Sequence, residues 1–355
     1  MLLTMFGVPT ALTDRGVRVV RALAQATIGA YDFIAAGSPE ELSAAWARLS
    51  TRSVVFHHES PSGGITSFFR KAQAPILLFL DDPFEVACAL HRERGVPIMD
   101  AMRATSLCLS ALEDIVLGNN VLVIDARIQS QLSLRSFVQL VSKHFSLPAS
   151  DLTVMSVMSS LRHDGVLGQS AISDDPWSLG LTRGGVPELT REQLDVVETC
   201  LEPYRRILER QAVQHVHWPA GAFMSMDHGG RPAVGLFDMT GKRRIFFYGP
   251  YLGLPPGKWV ARVEFEVANN RMGCVMQVNA IAKDFLTQGR IVLPEQGRHF
   301  CTIPFETVEP RWPVEIHFTL DQGVLEGEFG LIDVNIERLT EERVATQWRV
   351  ATGRA

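Results

Sequence analysis

Three adjacent residues, His57, His58 and Glu59, open a segment that continues Ser60-Pro61-Ser62-Gly63-Gly64-Ile65-Thr66. An imidazole can take a proton near neutral pH, and a neighbouring carboxylate can orient it, which is the pairing a general base needs. Successive strand residues face opposite sides, so only one of the two histidines can face a crevice. The segment follows the apolar run Ser53-Val54-Val55-Phe56 and precedes Thr66 to Lys71, which has helical spacing. A turn from strand to helix can aim backbone N–H groups at an anion, and the helix dipole adds to the attraction. Ser62, Gly63, Gly64 and Thr66 are therefore candidate anion ligands, although no lysine follows the glycines as it does in a nucleotide phosphate loop. Asp81-Asp82-Pro83 ends the next apolar run and either offers a metal or hydroxyl contact or simply starts a helix. Further on, Tyr248, Tyr251, Trp259 and Trp312 could stack on sugar faces or seal a core. His215, His217, Asp227 and His228 are scattered through a loop-rich stretch, so no metal and no cofactor is expected.

The elements that would hold these residues have two textures. Up to about residue 210, apolar runs (53–57, 74–80, 120–125) alternate with stretches of helical spacing (17–28, 39–46, 66–71, 85–94, 99–116, 134–145). Continuous apolar strands between helices indicate an α/β, three-layer fold with a parallel sheet covered on both faces. Ser38-Pro39-Glu40-Glu41 is a helix start, and Thr190-Arg191-Glu192-Gln193 is a capping box. Residues 150–187, rich in Ser, Asp, Gly and Pro, are expected as long loops or a cap. Beyond residue 243, short alternating runs separated by turns such as Leu254-Pro255-Pro256-Gly257 predict an all-β sandwich or jelly roll. The expected organisation is an α/β domain over 1–212, a linker over 213–242, a sandwich over 243–339 and a polar tail over 340–355.

Composition narrows the function classes. The chain has 355 residues, 46% hydrophobic and 21% charged, which excludes a wholly disordered chain. A net charge of −5 without a basic run argues against nonspecific nucleic-acid binding. Cys88, Cys108, Cys200, Cys274 and Cys301 are scattered and odd in number, the pattern of free thiols in a reducing compartment. Residues 1–13 lack the basic start of a secretory signal, and the apolar stretch 74–80 is far shorter than the roughly 20 residues that span a bilayer. No signal peptide, no transmembrane segment and a cytoplasmic location are expected, with the oligomeric state left open.

Pro61-Ser62-Gly63-Gly64-Ile65-Thr66, then Leu80-Asp81-Asp82-Pro83-Phe84-Glu85-Val86-Ala87, then Val121 to Asp125 and Phe137 to Pro148, resemble in order and spacing the sulfotransferase branch of the P-loop fold. In that family a basic loop residue contacts the phosphosulfate donor, and an Arg and a Ser hold its 3′-phosphate. The resemblance puts Ser62, Asp81 and Ala89 at these places. A carboxylate beside a phosphate dianion is repulsive where a guanidinium would grip it. The resemblance therefore implies a degenerate active site. The run Phe237 to Trp259, with Tyr248-Gly249-Pro250-Tyr251 and Leu254-Pro255-Pro256-Gly257-Lys258-Trp259, resembles carbohydrate-binding-module-like sandwiches of bacterial polysaccharide-synthesis proteins, a likeness that extends through Val314-Glu315-Ile316-His317. Together these imply a non-catalytic accessory or glycan-recognising protein of exopolysaccharide or glycan biosynthesis, with a glycan and polysaccharide-synthesis proteins as partners. The alternatives are a sulfo- or other group transferase with an atypical anionic donor, in which a histidine acts as base, and a partner-binding protein without a ligand.

Overall fold

The computed structural model describes residues 1–59, 61–125, 132–176, 188–227 and 229–339. They divide into two compact units: residues 1–96, 111–187 and 207–211 form the first, and residues 97–110, 188–206 and 212 onward the second.

The first unit is built on a five-stranded parallel sheet, order β2-β3-β1-β4-β5, made of β1 (Leu2–Gly7), β2 (Asp32–Ile34), β3 (Val54–His58), β4 (Ile76–Leu80) and β5 (Val121–Asp125). Strand alternation sends Leu3, Met5, Val55, Leu77, Phe79 and Ile124 to one face. There they join a core with α1 (Ala11–Thr27), α6 (Leu134–Phe145) and α7 (Asp151–His163). On the opposite face Phe6 and Phe56 meet Phe69 of α3 (Gly63–Lys71), with ring centroids 5.8 and 4.8 Å away. The sheet is thus covered on both sides, as the apolar strand runs require.

Side-chain caps set the helix starts. Thr10, Ser38, Ser62, Asp82, Ser133 and Ser150 each accept a backbone N–H in the first turn of α1, α2 (Pro39–Trp46), α3, α4 (Pro83–Arg94), α6 and α7. Several features differ from the sequence expectation, two of them here. The apolar start of the chain is β1, the central strand, and part of the expected loop region is the helix α7, capped by Ser150.

The second unit holds two antiparallel sheets. One has the order β13-β12-β15-β9-β7, from β7 (Met224–Ser225), β9 (Arg244–Tyr248), β12 (Val275–Ile281), β13 (Phe285–Val292) and β15 (Val314–Leu320), with β10 (Pro250–Leu252) paired to β15. The other has the order β14-β11-β16-β6, from β6 (His215–Pro219), β11 (Gly257–Ala268), β14 (Gly297–Thr307) and β16 (Glu328–Arg338), with β8 (Phe237–Asp238) paired to β16. Phe247 and Phe318 of the first sheet meet Phe329 of the second at 5.9 and 6.1 Å, forming the centre of the sandwich. The edge strands β13 and β14 also lie against each other. Gly289 makes this approach possible, since a Cβ there would sit 3.0 Å from Ile303.

Residues 213–242, expected as a linker, carry β6, β7 and β8 and so belong to the two sheets. The unit also includes the first part of α5 (Ile98–Val116) and the capping-box helix α8 (Arg191–Leu201). The expected tail 340–355 lies outside the described residues. Among those described, no helix is long and apolar enough to cross a membrane. All five thiols are free, four of them buried and Cys301 partly so.

Candidate functional site

In an open parallel sheet, ligands sit beyond the carboxyl ends of the strands, where successive connections depart in opposite directions. With the order β2-β3-β1-β4-β5, β1 leads toward β2 while β4 leads toward β5, so this place lies at the end of β1. The connection there is Val8-Pro9-Thr10, a position that sequence reasoning missed because it placed the anion loop after β3.

Protein groups fill the β1–α1 turn. The Val8 N–H donates to the Phe79 carbonyl, that of Thr10 to the Val8 carbonyl and that of Thr13 to Thr10 Oγ1. The Thr13 side chain is fully buried against Gly7, where a Cβ would lie 2.6 Å from it. The turn after β3 is similarly engaged. Ser62 donates its N–H to the Gly37 carbonyl at 2.9 Å and its Oγ accepts from Ile65. Gly64 packs so closely on the Pro39 ring that a Cβ would come within 2.7 Å. Gly63 accepts from Thr66 Oγ1 at 3.0 Å. Thr66 also lines a separate cleft of about 620 Å³, with Arg70 and Asp114, near the amino ends of β4 and β5.

Carboxylates dominate the strand ends. Glu59 makes two bonds to Arg94, at 3.1 and 3.3 Å. Burial raises the pKa of Asp14, the Glu59 charge adds to that, and Arg94 and Arg18 oppose it. Asp82 caps α4 by accepting from Phe84, and Asp81 Oδ1 accepts the Asp82 N–H. The Asp-Asp-Pro run is therefore the strand end and helix start that was one of its two expected roles.

The two histidines separate as alternation requires. His57 shares the face of Val55, and His58 that of Phe56. Burial pulls the His57 pKa down to about 4, partly opposed by Glu59, and its Nε2 is buried without a hydrogen-bond partner. At pH 7 it is a neutral imidazole. Arg94, Asp14 and Thr13 were not singled out in the sequence, because nothing in their spacing reveals that the start of α1 and the end of α4 come beside the end of β3.

A second constellation lies on the outward face of the first sheet of the sandwich. Cross-strand register aligns Gln288, Asn279 and His317, and Met224 with Tyr248. The Tyr248 ring lies 6.2 Å from both His317 and Tyr251. Glu315 accepts from His317 at 2.7 Å, and Tyr251 bonds to the same carboxylate. Burial, then that carboxylate, push the Tyr251 phenol up to about 12, so it is a hydroxyl donor at any physiological pH. Tyr251 has φ +70°, a conformation L residues rarely adopt and one that clusters at ligand-contacting positions. The Arg103 guanidinium lies 5.2 Å from the Tyr251 ring centre, donates to the Pro250 carbonyl and pairs with Asp100 at 2.7 Å. Asn279 is 5% exposed, and its Oδ1 is buried without a partner. A buried carbonyl of this kind costs about 1–3 kcal/mol until a donor reaches it.

The four aromatic candidates thus diverge. Tyr248 and Tyr251 come together. Trp259 is a correction: it is fully buried, and Nε1 donates to the Pro255 carbonyl and Thr307 Oγ1 at 3.2 and 3.1 Å, so it has no face for a ligand. Trp312, in the turn before β15, is 39% exposed and has the Lys283 ammonium 4.9 Å from its ring centre. Glu315 and His317 are spaced i, i+2 on one strand, which places them on the same face. That signal was present in Val314-Glu315-Ile316-His317 but is shared by any half-buried strand. His217 lies 3.4 Å from Asp333, and His228 falls outside the described residues. Among the described residues no group of three or more His, Cys, Asp and Glu could hold a metal.

No protein-family profile matches the chain, and no curated protein matches it significantly. Among solved structures it is similar to mouse sulfotransferase SULT7A1 complexed with PAP, at 12% identity over 58% of this chain and 88% of that one, with a TM-score of 0.38. It is also similar to the C-terminal CBM6 of LamC, a marine laminarinase from Zobellia galactanivorans, at 10% identity over 35% of this chain and 99% of that one, TM-score 0.22. A family 16 carbohydrate-binding module matches at 16% identity over 31% of this chain and 78% of that one, TM-score 0.22.

Proposed function

We propose that this chain is a non-catalytic glycan-recognising protein and that the outward face of the β13-β12-β15-β9-β7 sheet is its binding surface. The observation that carries the reading is the row from Asn279 through His317 to Tyr248. It joins two tyrosine rings to a carboxylate–imidazole pair beside the buried Asn279 side chain. Sugars need this combination: a ring for the apolar C–H face and acceptors and donors for the hydroxyls.

In this reading the α/β unit carries no nucleotide donor: the N–H groups of Val8, Thr10, Ser62 and Ile65 are engaged within the chain, and the carboxylates of Glu59 and Asp14 stand near the strand ends. A role as an accessory of exopolysaccharide or glycan biosynthesis, with synthesis proteins as partners, extends the reading and rests on the resemblance of the run 237–259.

The test is a glycan array followed by titration calorimetry on the full chain. At least one oligosaccharide binds, and both Tyr248→Ala and Glu315→Gln weaken it about tenfold or more. Adenosine 3′,5′-bisphosphate shows no heat of binding into the millimolar range. Micromolar binding of that nucleotide would return the chain to the group-transferase alternative.

A further inference from the structure

A cavity of about 890 Å³ lies wholly within the second unit. Met99, Val196, Phe223, Met224, Pro232 and Val234 make its wall apolar. Its volume is that of a site for a small organic ligand. Two of its residues connect it to the sheet face described above, Met224 as part of that face and Arg103 from α5. Met224 is the cross-strand partner of Tyr248, and directly paired residues share a face. The Arg103 guanidinium, at the cavity edge, lies over the Tyr251 ring. Cavity and sugar-facing row therefore meet along Met224–Tyr248 and Arg103–Tyr251. Val234, on the cavity wall, is 65% exposed although apolar, so an apolar ligand group there would remove side-chain surface from water.

Charge narrows the ligand class. The charged lining residues are three carboxylates, Asp100, Glu192 and Asp195, against the single guanidinium of Arg103, which Asp100 already pairs. Arg191 approaches Asp195 only to 4.0 Å, in open solvent. An anionic lipid headgroup or a fatty carboxylate would meet like charge at this rim.

We propose that the ligand is an uncharged glycoside with an apolar aglycone, its sugar on the Tyr248–Tyr251–Asn279 face and its apolar part in the cavity. The proposal rests on the glycan-binding reading, and the experiment separates the two. Full-length protein is titrated with matched methyl and octyl β-glycosides of glucose, galactose and mannose, with the octyl forms kept below their micelle concentration, and with 1-octanol alone. In at least one pair the octyl form binds about a hundredfold more tightly than the methyl form, since several methylenes leave water. Val234→Asp, at an exposed side chain that the fold tolerates, abolishes this gain and leaves the methyl form unchanged. Tyr248→Ala weakens both forms.

Equal affinity for methyl and octyl forms, or a gain that survives Val234→Asp, overturns the proposal and leaves glycan recognition standing. Octanol binding as tightly as the octyl glycoside overturns it too, because the sugar would then contribute nothing. If no glycoside binds, or if Tyr248→Ala changes neither form, the glycan-binding reading fails and the proposal with it.

Discussion

His57 shows how far one buried side chain can set the acid response of a fold. Its pKa lies near 4 in the folded chain against an ordinary 6.5, chiefly because burial disfavours the imidazolium. Between these values the unfolded chain binds a proton that the folded chain does not, so stability falls as pH drops from about 6.5 to 4 and is intact above that window. The loss is about 3 kcal/mol across the window. Denaturant midpoints measured against pH will show the fall, and His57→Gln will flatten this part of the profile. Trp259 tests a different residue-level claim. With its ring fully buried and its N–H twice bonded, Trp259→Ala lowers unfolding free energy by about 3–5 kcal/mol. Glycan affinity measured on the fraction still folded stays as it was. The tyrosine pair was legible in the sequence because aromatic rings around a Gly-Pro step are conspicuous. Asn279 was not: an asparagine in an alternating strand is ordinary until its neighbours bury it and leave its carbonyl unpartnered.

At the scale of elements, α1 docks on the sheet through Gly16, where a Cβ would lie 2.4 Å from the Phe79 ring. Alanine would favour the helix by about 1 kcal/mol on propensity alone. Phe79 is fully buried and cannot swing away, so overpacking outweighs that gain. Gly16→Ala will lower the urea midpoint. Gly168→Ala, with open space around it and an unstrained backbone, will stay within about 0.5 kcal/mol of the parent chain. The elements readable from the sequence were those with strong local signals: β3, β4 and β5 as apolar runs, α2 and α8 by their caps, and β9, β11, β12, β14, β15 and β16 by alternation between turns. The elements missed had conflicting signals. β1 is an apolar start that resembles a failed leader sequence. α7 mixes serines with methionines along 151–163, so composition hid its buried stripe of Val154, Val157, Met158 and Leu161. β7 and β8 are two residues each and exist only because longer strands pair with them. The missed β1 matters most, because it moves the sheet's switch point to the Val8–Thr10 turn and changes which groups could meet a ligand.

At the scale of the whole molecule, each unit encloses its own core, an α/β layer structure and a two-sheet sandwich. On the proposed glycan-binding reading, substitutions at Ser62 or Gly64, which lie in the first unit, will leave glycan titrations unchanged while Tyr248→Ala, in the second, alters them. The contact between β13 and β14 bears on how the sandwich behaves among many copies of itself. Each is the terminal strand of its sheet, and an unguarded terminal strand offers a ladder of unused N–H and C=O groups to any neighbouring chain. Leaning on one another, they deny a stranger access from that side, and the lean depends on Gly289 having no side chain. Gly289→Val would wedge the pair apart, and light scattering on a concentrated stock would then rise over hours at a temperature where the parent stays clear. A single missing methyl group thereby acts as the guard against fibre-like self-association.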